Sequence, residues 1–164
     1  MPGDGKALYE ATIESYELFK EWLAWCQKIP TLEDAEETAR KFYADYILKK
    51  ALHFVIFHEK RFIGMCCYYF NWKIPSADIG YWCRLSSQGN GYMTEAIEAI
   101  TRYALEELKI KRLTILCDDQ NIKSIAIPEK LGFQLETRAK GLIIKPNCDE
   151  LRMGRRYVKL GLSV

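Results

Sequence analysis

A chain of 164 residues, 49% hydrophobic and 28% charged, is long enough for one self-sufficient core, and that composition excludes disordered and low-complexity classes. A net charge of +2 is too near neutral to argue for nucleic acid or a membrane surface, and no apolar run approaches the length of a bilayer-spanning helix. Met1–Lys6 lacks the apolar stretch of a secretory signal.

Residues 7–27 place Leu8, Ile13, Tyr16, Phe19, Trp22 and Leu23 at helical steps, and Pro30 closes that helix. Thr31 opens a second helix as its N-cap, with Asp34 placed to complete a capping box, and the helical pattern runs to about Ala51. Residues 52–58 and 61–70 read as strands around a Glu59-Lys60 turn, and 77–85 as a third strand. A helix over 91–109, a strand over 112–117, a short helix over 121–131 ended by Gly132, and strands over 133–138 and 151–160 complete the chain. The order predicts a mixed α/β fold in one domain spanning residues 1–164.

Cysteine and histidine spacing gives no metal site. Cys26, Cys66, Cys67, Cys83, Cys117 and Cys148 contain no Cys-x-x-Cys pair, and most sit in apolar runs where cysteine acts as a small hydrophobe. Reduced thiols of this kind suit the cytoplasm. His53 and His58 face opposite ways along one strand and read as structural or surface residues.

The segment Gln88-Gly89-Asn90-Gly91-Tyr92-Met93 lies between a strand and a helix. Glycines there let the backbone approach a ligand, and free N–H groups at a helix start attract an anion, for which a pyrophosphate is the natural occupant. The residues after the loop have helical period, which argues against an Asn-Gly hairpin. The pattern also lacks the third glycine of dinucleotide-binding folds and the Gly-Lys-Ser/Thr of a P-loop.

Ala77-Asp78-Ile79-Gly80-Tyr81-Trp82, the glycine loop, Asn121-Ile122-Lys123-Ser124 and Glu129-Lys130-Leu131-Gly132-Phe133 together resemble the core of the GNAT N-acetyltransferases. The front helix, Ala7 to Trp25, is similar to the branch that acetylates ribosomal-protein N-termini at alanine or serine. The resemblance covers nearly all of the chain and implies a mostly antiparallel mixed sheet flanked by helices. It departs in two places. Met93 stands where the family has Gly or Ala, which suggests crowding of the loop. The strand that usually precedes the first helix is missing, which leaves two expectations: a native start upstream, or self-association through the apolar strand edge near Leu52–Phe57.

What the resemblance implies is acetyl transfer from acetyl-CoA to an amine by direct attack. Tyr81, Trp82, Cys83, Arg84 and Leu85 would pair with the pantetheine arm, where the central strand splays from its neighbour. Gln88, Gly89, Asn90, Gly91, Tyr92 and Met93 would hold the pyrophosphate. Asn121 would bind pantetheine or act as a plain helix cap, and Ser124 would serve the leaving thiolate. Asp78 is the first candidate base, with Glu17 and Glu21 behind it.

Amine basicity weighs on the acceptor. A peptide α-amine, with pKa about 7.7–8.0, loses its proton at pH 7 for roughly 1–1.4 kcal/mol, whereas a lysine near 10.4 needs about 4.6 kcal/mol. A site without an evident strong base favours a protein N-terminus. A small-molecule amine, or a module that binds CoA without catalysis, are the alternatives. No direct nucleic-acid or membrane partner is expected, and the chain reads as a monomer or homodimer.

Overall fold

In a computed structural model, which describes residues 3–146 and 148–161, the chain forms helices α1 (Gly5–Trp22), α2 (Leu32–Ile47), α3 (Tyr92–Glu106) and α4 (Ile122–Lys130). The strands are β1 (Ala51–His58), β2 (Arg61–Asn71), β3 (Ser76–Cys83), β4 (Arg112–Asp118), β5 (Gln134–Ile144) and β6 (Leu151–Leu160). They make one sheet in the order β1-β2-β3-β4-β6-β5, antiparallel except for the β3–β4 pair. This is the mixed, mostly antiparallel sheet expected from the sequence.

The first helix is shorter than its periodicity suggests. It stops at Trp22, because Leu23 turns extended and the Gln27 side chain donates to the carbonyls of Lys20 and Leu23 at 3.1 and 2.7 Å. Trp25, still in helical phase by sequence, instead folds back against the rings of Phe19 and Trp82. The second helix starts as read: Asp34 N donates to Thr31 Oγ1 and Thr31 N to Asp34 Oδ2, a capping box. It ends at Ile47, earlier than Ala51, which is already the first residue of β1. The third strand ends at Cys83 rather than residue 85, since Leu85–Ser87 form a 3₁₀ turn.

The sheet has a core on each face. One holds Leu8, Ala11, Ala35, Phe62 and Met65 under α1 and α2. The other holds Tyr68, Ile79, Ile97, Leu113, Ile115 and Tyr157 under α3 and α4. The stripe of α1 that packs inward, Leu8, Ala11, Thr12, Ser15 and Phe19, has the three- and four-residue steps of an amphipathic helix. At Gly64 a Cβ would lie 2.3 Å from the Trp82 carbonyl oxygen, so β2 and β3 come together there only because the residue is glycine.

Among the described residues no strand precedes α1, and β1 has a strand neighbour on one side only. Of the Met1–Lys6 segment, Gly5 and Lys6 already belong to α1, while Met1 and Pro2 lie outside the described residues. No helix among the described residues is long and apolar enough to cross a membrane.

Candidate active site

β3 and β4 pair only at Ser76–Arg112, Ala77–Leu113 and Asp78–Thr114. Beyond Asp78 they part, and the resulting gap opens into a cavity of about 790 Å³. Its walls include Gly80, Tyr81 and Trp82 of β3, Cys117 and Asp118 of β4, and Asn121 and Ser124 at the start of α4. The end of α1 and the α1–α2 connection close the opposite side with Trp22, Trp25 and Lys28.

Ser124 reaches this gap through the local chemistry of the β4–α4 turn. Gln120 N donates to Asp118 Oδ1, Asn121 N donates to the Asp118 carbonyl, and Asn121 Oδ1 then caps α4 by accepting from Ser124 N at 3.1 Å. The first turn of α4 therefore points Ser124 back at β3. Ser124 Oγ lies 3.2 Å from Tyr81 Oη and 3.3 Å from Cys117 Sγ, and Tyr81 Oη donates to the Ser124 carbonyl at 2.8 Å. Burial raises the Tyr81 phenol and the Cys117 thiol above their ordinary pKa values, so both stay protonated at neutral pH. The sequence reading grouped Cys117 with the core thiols; its contact with Ser124 depends on the turn that brings α4 back across the strand.

The glycine loop has the shape of an anion cradle. Gly89 and Gly91 have φ of +81° and +82°, and a Cβ built at either would meet nothing within 4 Å, so the space beside the backbone is open. Glu95 N is bonded to the Gly91 carbonyl, and the N–H groups before it at the helix start have no intrahelical acceptor. Asn90 braces the loop by donating to the carbonyls of Ser87 and Gln88. Lys123 of α4 donates to Gln88 Oε1 at 3.0 Å and brings a positive charge beside the cradle. Tyr92 packs its ring 4.9 Å from that of His58. Met93 corrects an expectation: its side chain is buried in the core under α3, so it does not crowd the loop. An open backbone, a helix start and a nearby lysine fit a pyrophosphate.

Arg84 and Leu85 serve this loop indirectly. Arg84 Nε binds Glu14 Oε2 at 2.6 Å, Leu85 N donates to Ser15 Oγ, and Ser86 N donates to Glu14 Oε1. Although partial burial opposes ionisation, the bonds from Ser86 and Arg84 hold the Glu14 carboxyl below its ordinary pKa. Sequence reading gave Glu14 and Ser15 no role; nothing in their spacing shows which loop α1 meets.

The carboxylates proposed as bases are dispersed. Asp78 accepts from Thr114 Oγ1 and lines a separate cavity of about 440 Å³ with Arg112 and Arg156. Glu21 is tied to Arg152 at 3.1 Å and to Lys145 at 3.7 Å, and Glu17 pairs with Lys20 at the surface. Arg152, only 8% exposed, also binds the buried Asp118 at 2.9 Å and stacks over Trp22. Among the described residues, two carboxylates line the larger cavity, Asp34 and Asp118, and both are already paired, Asp34 within the capping box and Asp118 with Arg152. His53, read from sequence as structural or surface, lies in the cavity wall beside Phe42 and Cys67.

The family model described as an acetyltransferase (GNAT) domain matches residues 2–134. The ribosomal-protein-serine acetyltransferase of Escherichia coli (strain K12) is 29% identical over 134 residues, 80% of this chain and 74% of that protein. The microcin C7 self-immunity acetyltransferase MccE, crystallised with acetyl-CoA and AMP, is 25% identical, with a TM-score of 0.89 over 98% of this chain and 88% of that one. RimL, a ribosomal L7/L12 α-N-protein acetyltransferase solved with coenzyme A, shares the fold at 23% identity and a TM-score of 0.89, over 98% of this chain and 90% of that one.

Proposed function

Because the chain belongs to the GNAT acetyltransferase family, and so is an acetyl-CoA-dependent N-acetyltransferase, we propose that its acceptor is the α-amine at the N-terminus of a protein. The observation that carries this reading is the state of the cavity's carboxylates. Asp34 and Asp118 are both engaged by protein donors, so neither is free to strip a proton from a strongly basic amine. An α-amine, needing roughly 1–1.4 kcal/mol to become neutral at pH 7, suits such a site better than a lysine. The name of the E. coli relative, a ribosomal-protein-serine acetyltransferase, agrees with this acceptor class.

Acetyl-CoA, as cosubstrate, supplies an acyl carbon already activated as a thioester. The backbone N–H groups from Gly89 to Met93 hold the pyrophosphate, with Gln88 positioned by Lys123. The backbone of Tyr81, Trp82 and Cys83 along the splayed gap pairs with the pantetheine arm, and Arg84 and Leu85 anchor the end of that strand on α1. Asn121 spends its side-chain oxygen on the helix cap and keeps its amide NH₂ for the same arm. Ser124 turns its one O–H from Tyr81 Oη to the departing sulfur and donates a proton or hydrogen bond there, while Tyr81 keeps its own bond to the Ser124 carbonyl.

A small-molecule amine is the second reading, favoured by the equal fold similarity to MccE. Thiol release measured with peptides beginning in Ser or Ala, the same peptides blocked at the N-terminus but carrying a lysine, and free small amines tests the choice. Turnover confined to free N-termini supports the proposal; preference for lysine or for small amines overturns it.

A further inference from the structure

We propose that His53, oriented by Asp45, is the group that accepts the proton from the acceptor amine. The inference rests on the amine-acceptor reading above and adds a residue to it.

His53 is the third residue of β1, and its cross-strand neighbour on β2 is Cys67, which in turn faces Gly80 of β3. These positions lie on one face of the sheet, the face covered by α1 and α2. Gly80 is where β3 has already left β4, and it carries no side chain; a Cβ there would come within 3.1 Å of Cys67 Sγ. The floor between the splayed gap and His53 is therefore low, and all three residues line the same 790 Å³ cavity. Two strand spacings, about 10 Å, separate the backbones of His53 and Gly80. An imidazole standing on β1 reaches an amine over Gly80 through bridging water.

The ring is held for this task. Phe42 of α2 stacks on it at 3.9 Å, and Tyr69 of β2 meets it edge-on at 6.0 Å. Nε2 lies 3.5 Å from Asp45 Oδ2, an electrostatic contact without a well-formed hydrogen bond. A proton kept on Nε2 beside that carboxylate leaves the lone pair on Nδ1. The side chain is 7% exposed.

The groups facing the ring are Asp45 and Lys41 from α2 and Cys67 and Tyr69 from β2. Burial pushes the Cys67 thiol and the Tyr69 phenol up, so neither is ionised near neutrality. Burial first, and Lys41 second, lower the His53 pKa below 6.5, while Asp45 opposes them. The imidazole is accordingly neutral at pH 7 and able to take a proton. A base this weak matches an α-ammonium far better than a lysine.

The proton balance closes. The ammonium gives one proton to His53, and the freed nitrogen lone pair forms the N–C bond. As the C–S bond breaks with its electron pair going to sulfur, the nitrogen sheds a second proton and the thiolate gains one. His53 returns its proton to water, so each turnover yields amide, thiol and one proton.

The test compares His53→Asn and Asp45→Asn with the parent protein, using an N-terminal peptide and an arylamine that is already neutral at pH 7. His53→Asn is expected to lower kcat on the peptide about 10²-fold. Acetyl-CoA affinity and arylamine turnover should stay within threefold, and the acidic limb of kcat/KM on the peptide should move up to the pKa of the peptide's own α-amine, about 7.7–8.0. Asp45→Asn should move that limb to lower pH, because it removes the charge that raises the His53 pKa. With His53 and His58 as the chain's two histidines, the imidazole NMR signals assign the titration directly. Peptide turnover within threefold in His53→Asn, or equal losses on both acceptors, overturns the proposal. Should that variant fail to fold, an unmoved limb in Asp45→Asn overturns it as well. If no peptide is acetylated by the parent protein, the N-terminal reading fails on its own, separately from His53.

Discussion

Tyr81 Oη donates to the carbonyl oxygen of Ser124 at 2.8 Å and accepts from Ser124 Oγ at 3.2 Å. This two-way contact joins β3 to α4 across the gap where β3 and β4 no longer pair. It ties the half-buried serine hydroxyl to Tyr81 and gives the splayed end of β3 an anchor that the sheet does not supply.

Ser124→Ala is expected to lower kcat at least tenfold while changing KM for acetyl-CoA less than threefold, if the hydroxyl assists the departing sulfur. Tyr81→Phe should show a smaller loss. The double variant should fall short of the product of the single losses, since the two hydroxyls act as one unit. Steady-state kinetics on the four proteins checks this; multiplicative losses would mean the two act independently.

Gly91→Val should weaken acetyl-CoA binding at least tenfold. The backbone at Gly91 is left-handed, φ +82°, which costs a β-branched residue about 1–2 kcal/mol, and the new side chain fills the open space beside the cradle. Calorimetric titration measures the affinity. An unchanged value in a folded variant would remove the loop from the cofactor site.

Removing Arg152 should destabilise the fold strongly. Arg152 and Asp118 are 8% and 9% exposed, so Arg152→Ala leaves a buried carboxylate without its partner, at a cost of roughly 3–5 kcal/mol. Arg152→Met combined with Asp118→Leu should recover most of that loss. Urea unfolding of both variants decides; a small effect of the single change would show that water reaches Asp118.

Stability should depend on pH through His53. Its folded pKa is depressed below the ordinary 6.5, chiefly by burial, so the unfolded chain binds the proton more readily. That stability is fully present above pH 6.5 and is lost as pH falls toward the lowered folded value. His53→Asn should flatten the dependence of the urea midpoint across that window. An equally steep profile would assign the slope to other groups.

Much of this protein is written locally. The capping box at Thr31 and Asp34, the helical stripe of α3 and the turn at Gly89–Gly91 each depend on residues within a few positions of one another, so the element order and the glycine turn ahead of α3 were legible in the sequence. The cap at Asn121 and the placement of Ser124 at the head of α4 are local too. What only the tertiary structure decided is which side chains meet across long stretches of chain. The end of α1 at Trp22 depends on Gln27 and on rings from β3 that no period in α1 encodes. The pairing of Glu21 with Arg152 joins residues far apart in the chain, and so turns a surface-looking carboxylate into part of a buried network. His53 reads as an ordinary strand residue until α2 lays Asp45 and Phe42 against it. Periodicity reports which face of an element is apolar, whereas a site of this kind depends on which elements are brought together.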